Sequence, residues 1–526
     1  MYRSFYFIFQ LDLHALRIFF GVVFATSFGK ILMIKKNLDY TAPPPLALAI
    51  VPIILTMGLL AIQIFYYDDF TPHIALAIGF AITALVGWYQ GLRWKEIESG
   101  AFRVLHVAMP SIATLIVVGM LVSTWIASGT VPTLIYYGLV LIEPQWFLAA
   151  TMLLCSVVSL SIGSSWTTVG TVGLALVGIG FAFGIPAHWT AGAVVSGAFF
   201  GDKISPLSDT TNLAAAVTET NVFAHIKNMM PTTVPAMLIA LALYSILGGV
   251  LMEDVTSGAR QQLQDITAIQ SGLENHFSLG LLPLLPLLVV MLLAFYKIAP
   301  IPALFTGFVL GAGVAVHNYD YNLNDILTFA HSGYKIDTGS SALDNLLNRG
   351  GVTSMTWVIT LMMFALAFGG ALERTGCLES VVNAIMKSTR GFKRLQTNTI
   401  LTSIATNAVS GDVYLSIALP GRMFGPQYDK LGYSRLNLSR AIEEGGTLVS
   451  PLIPWNAGGA FVMGTLGLAL APGDYSALLY APLAFACWLS PVIGIFYAQI
   501  GWFSKRAEEA ATTVKEAVAV ASGRFH

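Results

Sequence analysis

Seventeen residues, Ser196 to Asn212, carry two carboxylates (Asp202 and Asp209), a lysine (Lys203) and six further oxygen-bearing side chains in an otherwise apolar stretch. Those six are Ser196, Ser205, Ser208, Thr210, Thr211 and Asn212. An ionised group deep in a bilayer is expensive, so it normally faces a cavity or a partner and marks function. Pro206 has no backbone N–H and frees a carbonyl one turn earlier. Such a carbonyl is tolerated at membrane depth only where protein or a water-filled cavity takes it up. Carboxylate, hydroxyl and carbonyl oxygens are hard ligands, which a small cation such as Na⁺ prefers, by extension of the rule for Ca²⁺ and Mg²⁺. No His or Cys stands at metal-ligand spacing here. Asp209 has no adjacent cation and follows the break, so it reads as a carboxylate alternating between Na⁺ and H⁺, with Asp202 as the second Na⁺ ligand. The plainer reading of Asp202 and Lys203 is that they pair with each other or with neighbours.

A second constellation runs from Glu443 and Glu444 through Gly445, Gly446, Thr447, Ser450, Pro451 and Pro454 to Asn456. Two adjacent acids followed by glycines and prolines cannot form an ordinary span. Asn456 offers both a donor and an acceptor, suited to a ligand or to bracing a loop. The plainer reading sets Glu443 and Glu444 at the membrane edge, paired with Arg435 or Arg440. Two regions rich in Gly, Ser and Thr, 145–184 and about 396–420, read as helical hairpins that enter and leave on one side. They add Ser159, Ser164, Ser165, Thr167 and Thr168 in one half, and Thr402, Ser403, Asn407, Ser410 and Asp412 in the other. Small-residue helix packing accounts for most of these hydroxyls. Asp412, an acid after Gly411 in an apolar run, is harder to explain that way.

The elements that must hold these groups are membrane helices. The chain has 526 residues, 56% hydrophobic and 10% charged, with a mean hydropathy of +0.72. A soluble domain carries about 25% charged residues, so the composition implies one large membrane body. A net charge of −1 gives no reason to expect nucleic acid as a partner. Cys155, Cys377 and Cys487 are far apart and form neither a metal motif nor a disulfide framework. No phosphate-binding glycine loop supports ATP-driven transport, and no nucleophile–base pair points to an enzyme. The expected cofactors are none beyond the transported ions.

A helix needs about 20 mostly apolar residues to cross the hydrocarbon core. Clean spans are expected over 46–66, 72–89, 104–128, 233–251, 278–296, 300–317, 354–372 and 475–499. Broken crossings are expected near 188–215 and 441–468. Cytoplasmic loops accumulate Lys and Arg. With the segment before residue 46 inside, twenty of the 27 Lys and Arg fall on the inside and three outside, and only Lys203 remains within a span apart from the N-terminal stretch. Both termini are then cytoplasmic. The stretch 1–45 reads as a cytoplasmic segment or, with Met33 before Lys35 and Lys36, as start-site choice. The remainder divides into a first repeat (46–251), an external linker (252–277), a second repeat (278–499) and a tail (500–526).

The halves match at an offset. Gly201 to Leu207 aligns with Gly446 to Leu452 through Ser-Pro-Leu, and Trp125 to Gly129 aligns with Leu372 to Gly376. Loop charges invert between the halves: 129–145 lacks Lys and Arg whereas 373–395 has five. This is the pattern of an inverted-repeat secondary transporter, with its site near the midplane at the repeat interface. The fold class expected is therefore an all-α polytopic membrane protein with about ten crossings, two discontinuous helices and two hairpins.

The run from Gly201 through Asp202, Lys203, Ser205, Pro206, Asp209, Thr210, Thr211 and Asn212 resembles the signature of the NhaC family of sodium/proton antiporters. Ser410-Gly411-Asp412-Val413-Tyr414, Pro420-Gly421-Arg422 and Glu443-Glu444-Gly445-Gly446 with Pro454-Trp455-Asn456 are similar to that family too. The resemblance spans about residue 45 to about residue 505. It implies Na⁺ extrusion against H⁺ entry across a bacterial inner membrane, on an inverted-repeat scaffold. Exchangers of malate for lactate look similar, so an organic anion or amino acid is the alternative substrate, with Lys203 as its carboxylate-binding group. A second copy of the chain is kept as a candidate partner beside the lipid bilayer.

Overall fold

A computed structural model describes residues 42–67, 69–256, 259–296, 298–468 and 475–507. The expectations for residues 1–41, for Asp68 and Lys297, and for the tail beyond 507 lie outside the described residues. Among those described the chain is all-helical, with no β-strand. Among the described residues eight helices are long and apolar enough to cross a membrane, or up to ten if each bent pair counts as one span.

The first half contains α1 (Leu46–Tyr67), α2 (Pro72–Tyr89), α3 (Trp94–Ala127), α4 (Thr130–Leu141), α5 (Phe147–Ile162), α6 (Ser165–Ala182), α7 (Ala187–Lys203), α8 (Asp209–Val217) and α9 (Val222–Thr256). After α10 (Ala259–His276) the second half runs α11 (Leu281–Phe295), α12 (Pro300–Tyr319), α13 (Leu323–Ser332), α14 (Ser341–Leu347), α15 (Val352–Arg374), α16 (Cys377–Lys387), α17 (Gly391–Ser410), α18 (Val413–Lys430), α19 (Arg435–Gly446), α20 (Ala457–Leu466) and α21 (Phe485–Ile500).

The long helices α3 and α15 cross at the centre. A Cβ on Gly100 would stand 2.9 Å from the Gly370 carbonyl, and one on Gly119 would stand 2.7 Å from the Gly351 carbonyl. Glycine here lets two backbones touch, the usual device where lipid supplies no hydrophobic drive for helix association. Arg103 pairs with Glu373 at 3.0 Å and Arg374 with Glu96 at 2.9 Å. Both pairs are at least partly exposed and worth about 0–1 kcal/mol. Their value is positional: they join the start of α3 to the end of α15, which the charge count sets on one side.

The halves correspond in detail. Left-handed glycines stand at Gly129 and Gly376, and again at Gly163 and Gly411. Gly163 and Gly411 end α5 and α17, where no side chain would accept that φ cheaply. The next residue caps the following helix in each case: Ser164 accepts from Thr167 N–H and Asp412 from Tyr414 N–H. The same positions bond across to the broken helices. Ser159 donates to the Ala198 carbonyl at 2.6 Å, and Asn407 donates to the Gly446 carbonyl at 2.5 Å.

Several expected boundaries differ. Within 278–296 the helix is α11, 15 residues long, and it follows α10 at a bend of 94°. The 475–499 span bends by 44° between Ser476–Leu483 and α21. The stretches 129–145 and 373–395, read as loops, hold α4 and α16, which are too short to cross a bilayer. The linker 252–277 and the loop 318–353 also contain helices, namely α10, α13 and α14.

Candidate functional site

The first broken crossing is α7, an irregular turn at Ile204–Ser208, and α8. The second is α19, a break from Thr447 to Asn456 with a single 3₁₀ turn at Ser450–Leu452, and α20. Ser208 and Asn456 occupy the same role, each capping the helix that follows its break.

The freed carbonyls of the first break are not left for an ion. Asp202 O accepts from Ser205 N–H at 3.0 Å. Lys203 O accepts from the Thr211 hydroxyl at 3.0 Å. Asn212 donates to Pro206 O at 3.0 Å and to Ser208 O at 2.6 Å. Ser205 reaches back to Leu160 O at 2.9 Å. Ser205, Thr211 and Asn212 therefore brace the break, and Asn212 is exposed. Asn456 braces the second break: its carbonyl accepts from Ser450 at 2.6 Å and from Gly458 N–H at 3.0 Å, and its amide donates to Asn407 Oδ1 at 2.6 Å.

The acids sit differently. Asp202 is buried and accepts from Ser165 at 2.6 Å through Oδ2, while its Oδ1 has no partner. Glu443 is fully buried; its Oε1 accepts from Thr447 at 2.8 Å and from Thr210 at 3.3 Å, and its Oε2 has no partner. Glu444 is fully buried with neither oxygen hydrogen-bonded. Lys203 is fully buried, donates to Ser490 at 2.9 Å, and interacts electrostatically with Glu444 and Glu443. Asp209 is exposed; it accepts from its neighbour Thr210 N–H at 2.9 Å and from the Tyr414 hydroxyl at 2.6 Å. Asp412 is buried, and its carboxylate caps α18 by accepting from Tyr414 N–H at 2.7 Å.

Of the plain pairings, Asp202 with Lys203 and the glutamates with Arg435 are absent, whereas Lys203 with its neighbouring acids and Glu444 with Arg440 are present as electrostatic contacts. Asp202 and Lys203 form no ion pair with each other; adjacent on α7, they point to Ser165 and to Ser490 respectively. Glu443 and Glu444 do not pair with Arg435, which instead holds Glu219 at 2.8 Å and Asp429 at 2.7 Å. Arg440 corrects the charge count: it lies in α19 fully buried rather than in a loop, one turn from Glu444 and in electrostatic contact with it. Lys203 is thus not alone among spans. Thr447 and Tyr414 stood in the quoted runs without a role of their own, and Ser490, a site residue the sequence reading passed over, stands in no motif run.

Three buried acids (Asp202, Glu443, Glu444) face two buried bases (Lys203, Arg440). A buried charge is costly unless paired. One added cation or one proton would balance the set. Ser165, Ser208 and Thr210 hydroxyls with the Asp202 carboxylate supply hard oxygens for Na⁺.

Beyond the site lies a cavity of about 850 Å³, lined by Asp69, Tyr334, Lys335, Arg349, Leu174 and Met463 among others. Helix α6 runs from Ser165, beside Asp202, to Leu174 at that cavity, and α20 runs from Asn456 to Met463 likewise. Between, the rings of Trp166 and Phe461 stack at 4.2 Å. A π-helical turn at Val169–Gly173 lies in α6 next to this stack, a feature frequent at functional sites.

Residues 44–211 and 197–502 match the Na⁺/H⁺ antiporter family. The Na(+)/H(+) antiporter NhaC of Alkalihalophilus pseudofirmus is 40% identical over 431 residues, 82% of this chain and 90% of that one. NhaC of Bacillus subtilis is 37% identical over 436 residues, 82% and 93% of the two chains. The arginine/ornithine antiporter ArcD of Halobacterium salinarum is 35% identical over 477 residues, 90% and 96%. The oxygen-lined meeting of two broken helices and these matches lead to one statement: the chain belongs to the Na⁺/H⁺ antiporter family.

Proposed function

We propose that this protein exchanges Na⁺ for H⁺ by alternating access, extruding sodium across a bacterial inner membrane, with both termini on the cytoplasmic side. It is read as a transporter and not an enzyme. The observation that carries the proposal is the charge arrangement at the breaks. Asp202 Oδ1, Glu443 Oε2 and both Glu444 oxygens are buried without hydrogen-bond partners, and the acids outnumber the bases that face them. Na⁺ takes Asp202 with the Ser165, Ser208 and Thr210 hydroxyls, Asp209 being the exposed carboxylate that receives it first. Glu443 and Glu444 hold the proton when Na⁺ is absent. Two half-helix pairs in inverted repeats suit movement of one repeat against the other.

A second reading, exchange of an organic ion, draws on the relative named as an arginine/ornithine antiporter. An anionic substrate would need a free cation, and Lys203 already faces Glu444 and Glu443. This counts against an organic anion.

The test uses proteoliposomes with an internal pH dye, an imposed proton gradient and no organic solute. Dissipation of the gradient on adding Na⁺ alone supports antiport. A gradient that stays until malate, lactate or an amino acid is added transfers the reading to organic-ion exchange.

A further inference from the structure

Helix α21 contributes no residue to the motif runs, yet one of its faces lies against the charged cluster. Cys487, Ser490, Gly494 and Tyr497 follow one another at helical spacing, which sets them on one side of the helix. The ends of this stripe are anchored. Before the helix, Tyr480 donates to the Pro451 carbonyl of the second break at 2.5 Å. In its first turn the Ala486 N–H donates to the Ser196 hydroxyl of α7 at 3.3 Å. Beyond its end the Phe503 carbonyl accepts from Arg440 Nη1 at 3.2 Å.

Each position along the stripe meets a different part of the cluster. Cys487 Sγ lies 3.8 Å from the Val195 carbonyl of α7. Ser490 is buried and accepts from Lys203 Nζ at 2.9 Å, the one side-chain hydrogen bond that Lys203 makes among the described residues. Tyr497 interacts with Arg440. Gly494 meets Glu444. A Cβ on Gly494 would run into Glu444 Oε2 and stand 2.9 Å from Cδ and 3.2 Å from Oε1. The three atoms nearest to it would all belong to that one carboxyl group.

Glycine in a helix interior is less favourable than alanine, so each such glycine answers a local need. At Gly100 and Gly119 the need is a neighbouring backbone. At Gly494 it is a side chain: the missing Cβ leaves a notch, and the notch holds a fully buried carboxylate with neither oxygen hydrogen-bonded. Lys203 and Arg440 act on that carboxylate electrostatically without hydrogen-bonding to it. A carboxylate with no hydrogen bond of its own is placed by the surfaces around it, and α21 supplies the nearest one.

We infer that Ser490 and Gly494 are positioning residues for the exchange: Ser490 fixes the Lys203 ammonium, and Gly494 keeps open the notch in which the Glu444 carboxylate sits, so one helix face sets the buried base against the buried acid. The inference rests on the antiport reading, in which Glu444 shares in holding the proton. The sodium ligands Asp202, Ser165, Ser208 and Thr210 come from α6, α7, the first break and α8, and α21 adds no group to them. A change on this face therefore acts on the proton side of the exchange and leaves sodium recognition in place.

The experiment follows sodium-driven collapse of a pH gradient by the full-length protein in proteoliposomes over a series of Na⁺ concentrations, with melting followed by tryptophan fluorescence. In Gly494→Ala only the end of a flexible side chain has to move, so the variant is expected to assemble and melt with wild type. Its maximal rate is expected to fall at least tenfold, with half-saturating Na⁺ within twofold of wild type. Adding Glu444→Asp, whose carboxylate is one carbon shorter and fits beside the new methyl group, is expected to recover most of the rate. A wild-type rate in Gly494→Ala, a loss that Glu444→Asp does not relieve, or a half-saturating Na⁺ that rises in step with the loss overturns the inference. Should Gly494→Ala not assemble, Ser490→Ala carries the test: it must show the same split between rate and half-saturation, and Ser490→Thr, which returns the hydroxyl, must recover the rate. Absence of either the split or the recovery overturns the inference equally. A wild type that collapses no gradient overturns the antiport reading and this inference with it, whereas failure of the variants beside an active wild type counts against α21 alone.

Discussion

Thr210, in the first turn after the first break, donates its hydroxyl to Glu443 at 3.3 Å, joining the two broken helices across 233 residues of chain. Under the proposed function the bond ties a sodium ligand to a proton-holding acid, so occupancy at one would be felt at the other. A hydrogen bond to a charged group contributes about 1.5–3 kcal/mol, and Glu443 retains Thr447. Thr210→Val, which keeps the shape, is expected to raise the Na⁺ concentration for half-maximal exchange about tenfold, each tenfold being about 1.4 kcal/mol. Thr210→Ser restores it. An unchanged half-saturation would break the link.

Asp202 and Asp209 are expected to separate in the same assay. Asp202 is buried and Asp209 exposed. Asp202→Asn should abolish sodium-driven proton movement. Asp209→Asn should retain it with weaker apparent affinity for Na⁺, and Tyr414→Phe, which removes the 2.6 Å bond to Asp209, should behave alike. Silence of Asp209→Asn with activity in Asp202→Asn would reverse the assignment.

Lys203 is one of two buried bases set against three buried acids. Removing one partner of a buried charge set costs about 3–5 kcal/mol. Lys203→Gln is expected to lower thermal stability in detergent at low Na⁺. Added Na⁺ should recover more stability in this variant than in wild type, because it replaces the missing charge. Equal stabilisation by Na⁺ in both proteins, followed by tryptophan fluorescence on heating, would place the ion elsewhere.

The matching contacts of the two halves make a paired prediction. A Cβ on Gly445 would stand 2.5 Å from the Ile400 carbonyl, and one on Gly197 would meet the Met152 carbonyl. Overpacking of this kind costs about 1–3 kcal/mol. Gly445→Ala and Gly197→Ala should both lower melting temperature, whereas Gly249→Ala, with nothing within 4 Å of its added carbon, should not.

The membrane architecture was legible because hydropathy and basic loops are set by the bilayer, not by tertiary detail. Both breaks were legible too, since Pro206 and the Gly445–Pro454 run cannot continue a helix. The fate of the polar groups was not. Whether Asn212 and Asn456 bind an ion or brace a carbonyl depends on where a side chain turns after an irregular backbone, which spacing does not encode. Arg440 was misplaced in a loop because α19 is polar in sequence, and its burial comes from packing against α9, α17 and α21. Helices α4 and α16 escaped notice because they are shorter than a span.

The likeness of the halves also bears on energetics. If each repeat can adopt the other's arrangement, the outward-open and inward-open states share the contacts that both repeats make, such as Ser159 with Ala198 and Asn407 with Gly446. Those contacts cancel in the difference between states. The resting bias then depends on the few positions where the repeats diverge, Asp202 against Thr447 and the capping Ser208 against Asn456 among them. A handful of substitutions there would tilt the equilibrium between states without touching the architecture that both states use.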